Sequence, residues 1–216
     1  MAESLLDLFQ PTQETEGDRL YGVVVGIVTN NQDPDGMGRV KVRFPWLSAT
    51  EESWWARIAV PMAGKDRGAY FLPEVDDEVL VAFEHGEVRS PYVLGALWNG
   101  VQKPPTTNED GKNNLRVIKS RSGHVIRLDD TENAEKIEII DKTQKNSIVI
   151  DASANTLTIK ADGDLTLESA QGKIVLKGQS IEIQSTSQTV TVQAATDMEV
   201  KASGQMTIKG AVVNIN

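Results

Sequence analysis

The chain contains no cysteine and only two histidines, His85 and His124. A disulfide framework and a thiolate metal site are thereby excluded, and one chain cannot assemble an imidazole-rich cluster. Aromatic residues are few and confined: all 11 Phe, Trp and Tyr lie between Phe9 and Trp98, and the last 118 residues have none. A tail of short aliphatics without rings cannot build a thick globular core of its own. No apolar run approaches the roughly 18 residues that a transmembrane helix needs. Residues 1–18 lack the basic start and apolar core of a signal peptide, so assembly in the cytoplasm is expected. Basic charge is short as well: 22 Lys and Arg stand against 31 Asp and Glu, a formal net charge of -9. The deficit lies in residues 1–111, with 9 basic and 18 acidic side chains, whereas residues 112–216 carry 13 of each. That balance disfavours nonspecific binding to nucleic acid or to an anionic membrane, both of which need basic patches.

At 216 residues the chain has room for one or two domains. Residues 1–18 hold a short apolar cluster, Leu5, Leu6, Leu8 and Phe9, then Pro11 and an acidic stretch. They read as an N-terminal arm that docks on a partner, expected below to be the hub, since a free helix of that length is marginal. Residues 19–98 read as a small β-domain. Strands are predicted over 21–29, 39–44, 54–60, 78–84 and 92–97, with the period-2 pattern clearest in Arg39-Val-Lys-Val-Arg-Phe44. Gly64, Gly68, Pro73, Gly86 and Pro91 punctuate the connections. Five strands without a helical pattern suit a closed barrel of the OB type. The four Trp, the three Tyr and three of the four Phe fall here and are expected to fill it. Residues 99–114 read as a linker.

Residues 115–216 form a repeat. Pairs of aliphatics spaced by two recur as Ile126/Leu128, Ile137/Ile139, Ile148/Ile150, Leu157/Ile159, Leu165/Leu167 and Ile174/Leu176. They continue as Ile181/Ile183, Val190/Val192, Met198/Val200, Met206/Ile208 and Val213/Ile215. The mean spacing is 8.7 residues and settles to between 7 and 9 after Ile148. A fixed short period marks a repeat architecture. Each strand offers two medium-sized aliphatics to one face, and one chain cannot enclose them. Burial at roughly 25 cal/mol per Å² needs a partner surface of the same period, most simply another copy of the chain. Three copies around one axis give a triangular β-prism with aliphatics inside, too narrow for a ring. About eleven strands at roughly 4.8 Å make a needle of about 50 Å. The expected fold class is all-β, an OB-type barrel followed by an intertwined trimeric β-helix.

Asp33-Pro-Asp-Gly-Met-Gly-Arg-Val-Lys-Val-Arg-Phe-Pro-Trp46 resembles a hairpin of phage baseplate assembly protein V and of the valine–glycine repeat (VgrG) spike proteins. So do Trp55-Ala-Arg57, Pro61-Met-Ala-Gly64, Arg67-Gly68, Phe71-Leu-Pro-Glu-Val-Asp-Asp-Glu-Val79 and Pro91-Tyr-Val-Leu-Gly95. The resemblance covers roughly residues 20–100, and the repeat that follows looks like the family's trimeric β-helix. It implies a structural, non-enzymatic central spike of a contractile injection machine: a homotrimer that pierces a target membrane transiently during firing. VgrG proteins usually begin with a large hub domain, so a separate hub protein is expected, linking the spike to inner tube and baseplate proteins. A lysozyme domain, found between barrel and needle in some phage spikes, has no room in residues 99–114. The His-x-His iron tip of some short spikes has no counterpart here, because no His follows His124. A PAAR-type tip protein is expected to cap the needle at Asn214, Ile215 and Asn216.

Other constellations have simpler readings. Asp33, Asp35 and Gly36 open like a calcium loop, but the later ligands are out of register and a turn is expected. His85 reads as a solvated turn residue and His124 as an outward imidazole at the start of the needle. Trp46, Trp54 and Trp55 are assigned to core packing or a hub contact, and Asp76, Asp77 and Glu78 to a charged loop. No metal, cofactor or catalytic residue is expected. Two rival classes remain: a trimeric fibre or adhesin, disfavoured by a tail with no ring to stack on a sugar, and an OB-fold nucleic-acid binder, disfavoured by charge.

Overall fold

The computed structural model describes residues 19–214. The readings of residues 1–18, Ile215 and Asn216 lie outside the described residues. These are all-β apart from one 3-10 turn, Glu84–Gly86. The chain divides into two units, Met1–Asp162 and Gly163–Asn216.

The first unit opens with strands β1 (Val23–Asn30), β2 (Lys41–Arg43) and β3 (Arg57–Ile58). A small hairpin of β4 (Ala63–Gly64) and β5 (Arg67–Gly68) follows, then β6 (Glu78–Phe83) and β7 (Pro91–Ala96). The main sheet runs β2-β1-β6-β7-β3. All its pairings are antiparallel except β3 with β7. Two isolated bridges, Val40↔Ala56 and Arg43↔Glu52, bring the approach to β3 against β2. The sheet edges therefore meet, giving the five-stranded OB-type barrel.

Alternation decides what fills it. Val40, Val42 and Phe44 point inward, as do Val79, Val81 and Phe83, and Val28, Ala56 and Val93 complete the core. Only two rings are buried. The expectation that the aromatics fill the barrel is corrected: Tyr21, Trp46, Trp54, Tyr70, Phe71 and Trp98 are exposed. The reason is space. A side chain at Gly26 would overlap Val42, and its Cβ would lie 3.2 Å from the Phe44 ring. Strands this close accept β-branched valine rather than further rings.

After the barrel come β8 (Leu115–Lys119), β9 (Val125–Asp129), β10 (Lys136–Ile140), β11 (Ser147–Asp151) and β12 (Thr156–Lys160). They form an antiparallel meander in that order. Three of its reversals place Asn133, Gln144 and Asn155 at positive φ, where Asn is tolerated best among residues with a Cβ. The second unit has no hydrogen-bonded strand among its described residues.

Candidate interaction surface

The meander brings the predicted pairs of its strands into register. One row across the sheet reads Ile118, Ile126, Ile139, Ile148 and Ile159. The parallel row reads Arg116, Leu128, Ile137, Ile150 and Leu157. Because successive side chains alternate across a strand, both rows share one face. The opposite face carries Val117, Arg127, Glu138, Val149 and Thr158. Arg127 pairs there with Glu138, and Lys136 with Asp151 at 3.5 Å. The ion-paired face is half-buried from Val117 to Val149 and exposed only at Thr158, while the aliphatic face lies open throughout. Exposure on the open face runs from 41% at Ile148 to 63% at Leu157. This inverts the usual economy of a sheet, which turns its apolar face to a core.

In the second unit the same pattern persists without strands. Leu165, Leu167, Ile174, Leu176, Ile181, Ile183, Val190, Val192, Met198, Val200, Met206, Ile208 and Val213 are all exposed, as is Asn214. Every described residue of the predicted ladder is therefore uncovered within the chain. Sequence reasoning missed one member, Ile118, because its partner position holds Arg116 and the apolar-x-apolar signature is broken.

The barrel's charged clusters are structural. Asp33 has a side chain only 3% exposed. Its carboxylate accepts the N–H groups of Asp35 (3.1 Å), Met37 (3.0 Å) and Arg39 (3.2 Å). The Arg39 guanidinium adds donors at 2.9 and 2.6 Å and also reaches Asp35. That guanidinium holds the Asp33 carboxyl far below the usual carboxylate range, and Arg39 is raised in return. With both oxygens engaged, Asp33 pins the turn, as expected. Asp77 accepts the Glu74 N–H at 2.8 Å and Gln102 Nε2 at 3.2 Å, while Glu78 accepts Asn99 Nδ2 at 3.0 Å. The Asp76–Asp77–Glu78 run thus fastens the chain leaving the barrel. His85 is an exposed turn residue at φ 48°. His124 Nδ1 accepts the Lys142 N–H at 3.2 Å, which ties two hairpin loops of the meander together. Among the described residues no three His, Asp or Glu are grouped to hold a metal, and no helix is long and apolar enough to cross a membrane.

One cavity of about 1180 Å³ opens on the barrel beside β3, β7 and the β4–β5 hairpin, with Arg39, Trp55, Arg57, Arg89 and Tyr92 in its wall. Arg39 and Lys41 lie over the Trp55 ring at 5.8 and 5.6 Å, and Arg57 over Tyr92 at 5.5 Å. Trp55 therefore faces this cavity and not the core.

The chain thus falls in the class of all-β proteins that carry an OB-type barrel followed by an open aliphatic ladder. Comparison with known families narrows the class. Residues 24–98 match the type VI secretion system/phage-baseplate injector OB domain. The chain is 32% identical over 130 residues to the type VI secretion system spike protein VgrG2a of Pseudomonas aeruginosa, covering 56% of this chain and 15% of that protein. It is 30% identical over 131 residues to spike protein VgrG1a of the same organism, covering 54% of this chain and 20% of that one. It is also 30% identical over 107 residues to the actin cross-linking toxin VgrG1 of Vibrio cholerae, covering 48% of this chain and 10% of the toxin. The matches thus take in a fifth or less of each relative's length. Residues 24–98 are thus matched by the injector OB-domain model, and over about half of its length the chain is similar to VgrG spike proteins.

Proposed function

We propose that the chain is the central spike of a contractile injection machine and works as a homotrimer without enzymatic activity. The observation that carries this reading is the ladder: paired aliphatics at a 7–11-residue spacing, from Ile126 to Val213, all exposed in the single chain. Exposed apolar patches on soluble monomers seldom exceed a few hundred Å², so a surface of this extent calls for a partner. A second and third copy supply one with the same period and the same two-residue width. Closed around an axis, the rows from Ile126 to Ile215 form the interior of a needle, and Lys, Glu, Thr and Gln form its outside. The names of the VgrG relatives support the spike reading at family level.

In this reading the barrels form a collar that docks on a separate hub protein and, through it, on inner tube and baseplate. A PAAR-type tip protein caps the apex at Asn214–Ile215–Asn216. The needle crosses the target membrane only transiently, driven by the machine, and its own contribution is stiffness under axial load. Light scattering on the purified chain tests the core of the proposal. A mass three times the 23.6 kDa of the chain, with cooperative melting at high temperature, is the expected result. A stable monomer with the ladder open to solvent would refute it.

A further inference from the structure

The chain is short of basic residues, yet Arg57, Arg67 and Arg89 all line the 1180 Å³ cavity of the barrel. Among the described residues none of the three forms an ion pair with a carboxylate. Exposed Tyr70 and Phe71 stand in the same wall. At about 1180 Å³ the cavity exceeds the roughly 300–1,000 Å³ of ordinary small-molecule sites. Outside the Asp33–Arg39 pair its wall carries three arginines against two carboxylates, Asp66 and Glu84, and its size, that basic excess and its rings suit an acidic polypeptide that carries apolar anchors.

Such a segment is present in the sequence. Residues 1–18 contain five carboxylates (Glu3, Asp7, Glu14, Glu16 and Asp18), no Lys or Arg, and the cluster Leu5, Leu6, Leu8 and Phe9. The place where this segment joins the barrel is fixed. Arg19 bridges Glu87, and the Leu20 N–H donates to the Gly86 carbonyl at 2.9 Å. Two residues of the cavity wall, Glu84 and Arg89, lie within three positions of Glu87 in the chain. Eighteen residues reach up to about 60 Å when extended, so tether length imposes no limit. A second cleft, of about 190 Å³, includes Leu20 itself with Phe44, Leu47 and Trp54. It carries Glu51 and Glu52 and no basic residue, so like charge opposes an acidic occupant there.

We propose that the acidic, leucine-rich segment 1–18 docks into the arginine-lined cavity of its own barrel. The inference uses the barrel alone and stands or falls separately from the spike reading. The cavity's basic excess, against a nearer cleft whose only charges are Glu51 and Glu52, selects the cavity, and the leucines and Phe9 meet the exposed rings.

Because the chain has no cysteine, an engineered pair reports proximity without background. In the full chain, Leu8→Cys with Met62→Cys probes the arginine cavity, and Leu8→Cys with Leu47→Cys probes the other cleft. Under mild oxidation the first pair should close within one chain about tenfold faster, as expected for a docked segment against a merely tethered one. Adding Arg57→Glu and Arg89→Glu, or raising salt, should slow it about fivefold, the scale of screened surface ion pairs. If the double reversal does not fold, Arg89→Glu alone, on an exposed loop, makes the same comparison. Equal closure of the two cysteine pairs, or indifference to both charge reversal and salt, would overturn the proposal. A cross-link between chains would overturn its own-barrel form.

Discussion

Replacing Ile148 by Asp separates an open ladder from an enclosed one. Ile148 lies on β11 between Ile139 and Ile159 and is 41% exposed in the single chain. If the chain worked alone, the change would alter an open position at a cost within about 1 kcal/mol. In a threefold needle three copies are enclosed together. Each forfeits about 1 kcal/mol of apolar burial, roughly two-fifths of the value for a whole isoleucine side chain. Each carboxyl must also enter the interior neutral, which at pH 7 costs about 4 kcal/mol measured from the usual Asp pKa. The trimer therefore loses on the order of 15 kcal/mol, most of it dependent on pH.

The sign follows from the neutral form. Burial raises the carboxyl's pKa in the assembly above its value in the separated chains, so the penalty shrinks as pH falls toward about 4. Light scattering and thermal melting of Ile148→Asp should show loss of the trimer, or at least about 10 °C of its melting temperature, at pH 7. Recovery should follow at pH 4. Ile148→Asn, neutral at both pH values, should show one smaller loss that does not change between pH 7 and pH 4. Thr158→Asp, in the row on the opposite face, should match the parent. An Ile148→Asp trimer that melts within about 2 °C of the parent at pH 7 would refute the enclosed ladder.

Two further predictions concern the first unit alone. Gly26→Ala places a Cβ against Val42 and 3.3 Å from the Arg43 carbonyl; the barrel should lose about 1–3 kcal/mol by denaturant unfolding. In the loop between β10 and β11, the Thr143 hydroxyl donates to Asp141 at 2.8 Å, and Asn146 adds backbone and side-chain donors. These bonds lower the Asp141 carboxyl to about 2. A depressed carboxyl contributes stability that is complete above its unfolded value near 3.8 and is lost as pH falls through about 2. Carboxyl carbon NMR should show Asp141 titrating near 2 in the parent and closer to 3.8 in Thr143→Ala.

The strands of the barrel were legible in the sequence because alternation and turn residues act locally. Arg39-Val-Lys-Val-Arg-Phe44 sets Val40, Val42 and Phe44 inward, where they are buried. The contents of the barrel were less legible. Ring count does not say which way a ring faces, and the Val40↔Ala56 bridge makes Ala56 the inward residue, leaving Trp55 and Arg57 outside. The arginine cavity was invisible for a related reason. Arg57 on β3, Arg67 on β5 and Arg89 in the loop before β7 are brought together only by the fold of the barrel, so no linear motif marks them.

In the tail the alternation named which residues share a face but not where their backbone partners lie. Spacing carries that information. From Ile126 to Ile137 to Ile148 the interval is 11 residues, enough for a five-residue strand and a reversal, and this stretch pairs within the chain. The interval to Leu157 is 9, closed by the shorter turn that holds Asn155 at positive φ. Beyond Leu165 it falls to between 7 and 9, and the described residues there form no strand within the chain. A five-residue strand leaves two to four residues for each return at that spacing, and four already suffice to join β11 to β12, so it is the absence of ladder bonds in the second unit, and not loop length, that marks it off. Backbone N–H and C=O groups that cannot pair within their own chain must find water or another chain. The apolar rows beside them favour the second. The shortening period thus coincides with the passage from a part of the ladder that pairs within the chain to a part whose described residues do not, and both offer the same two-residue aliphatic edge.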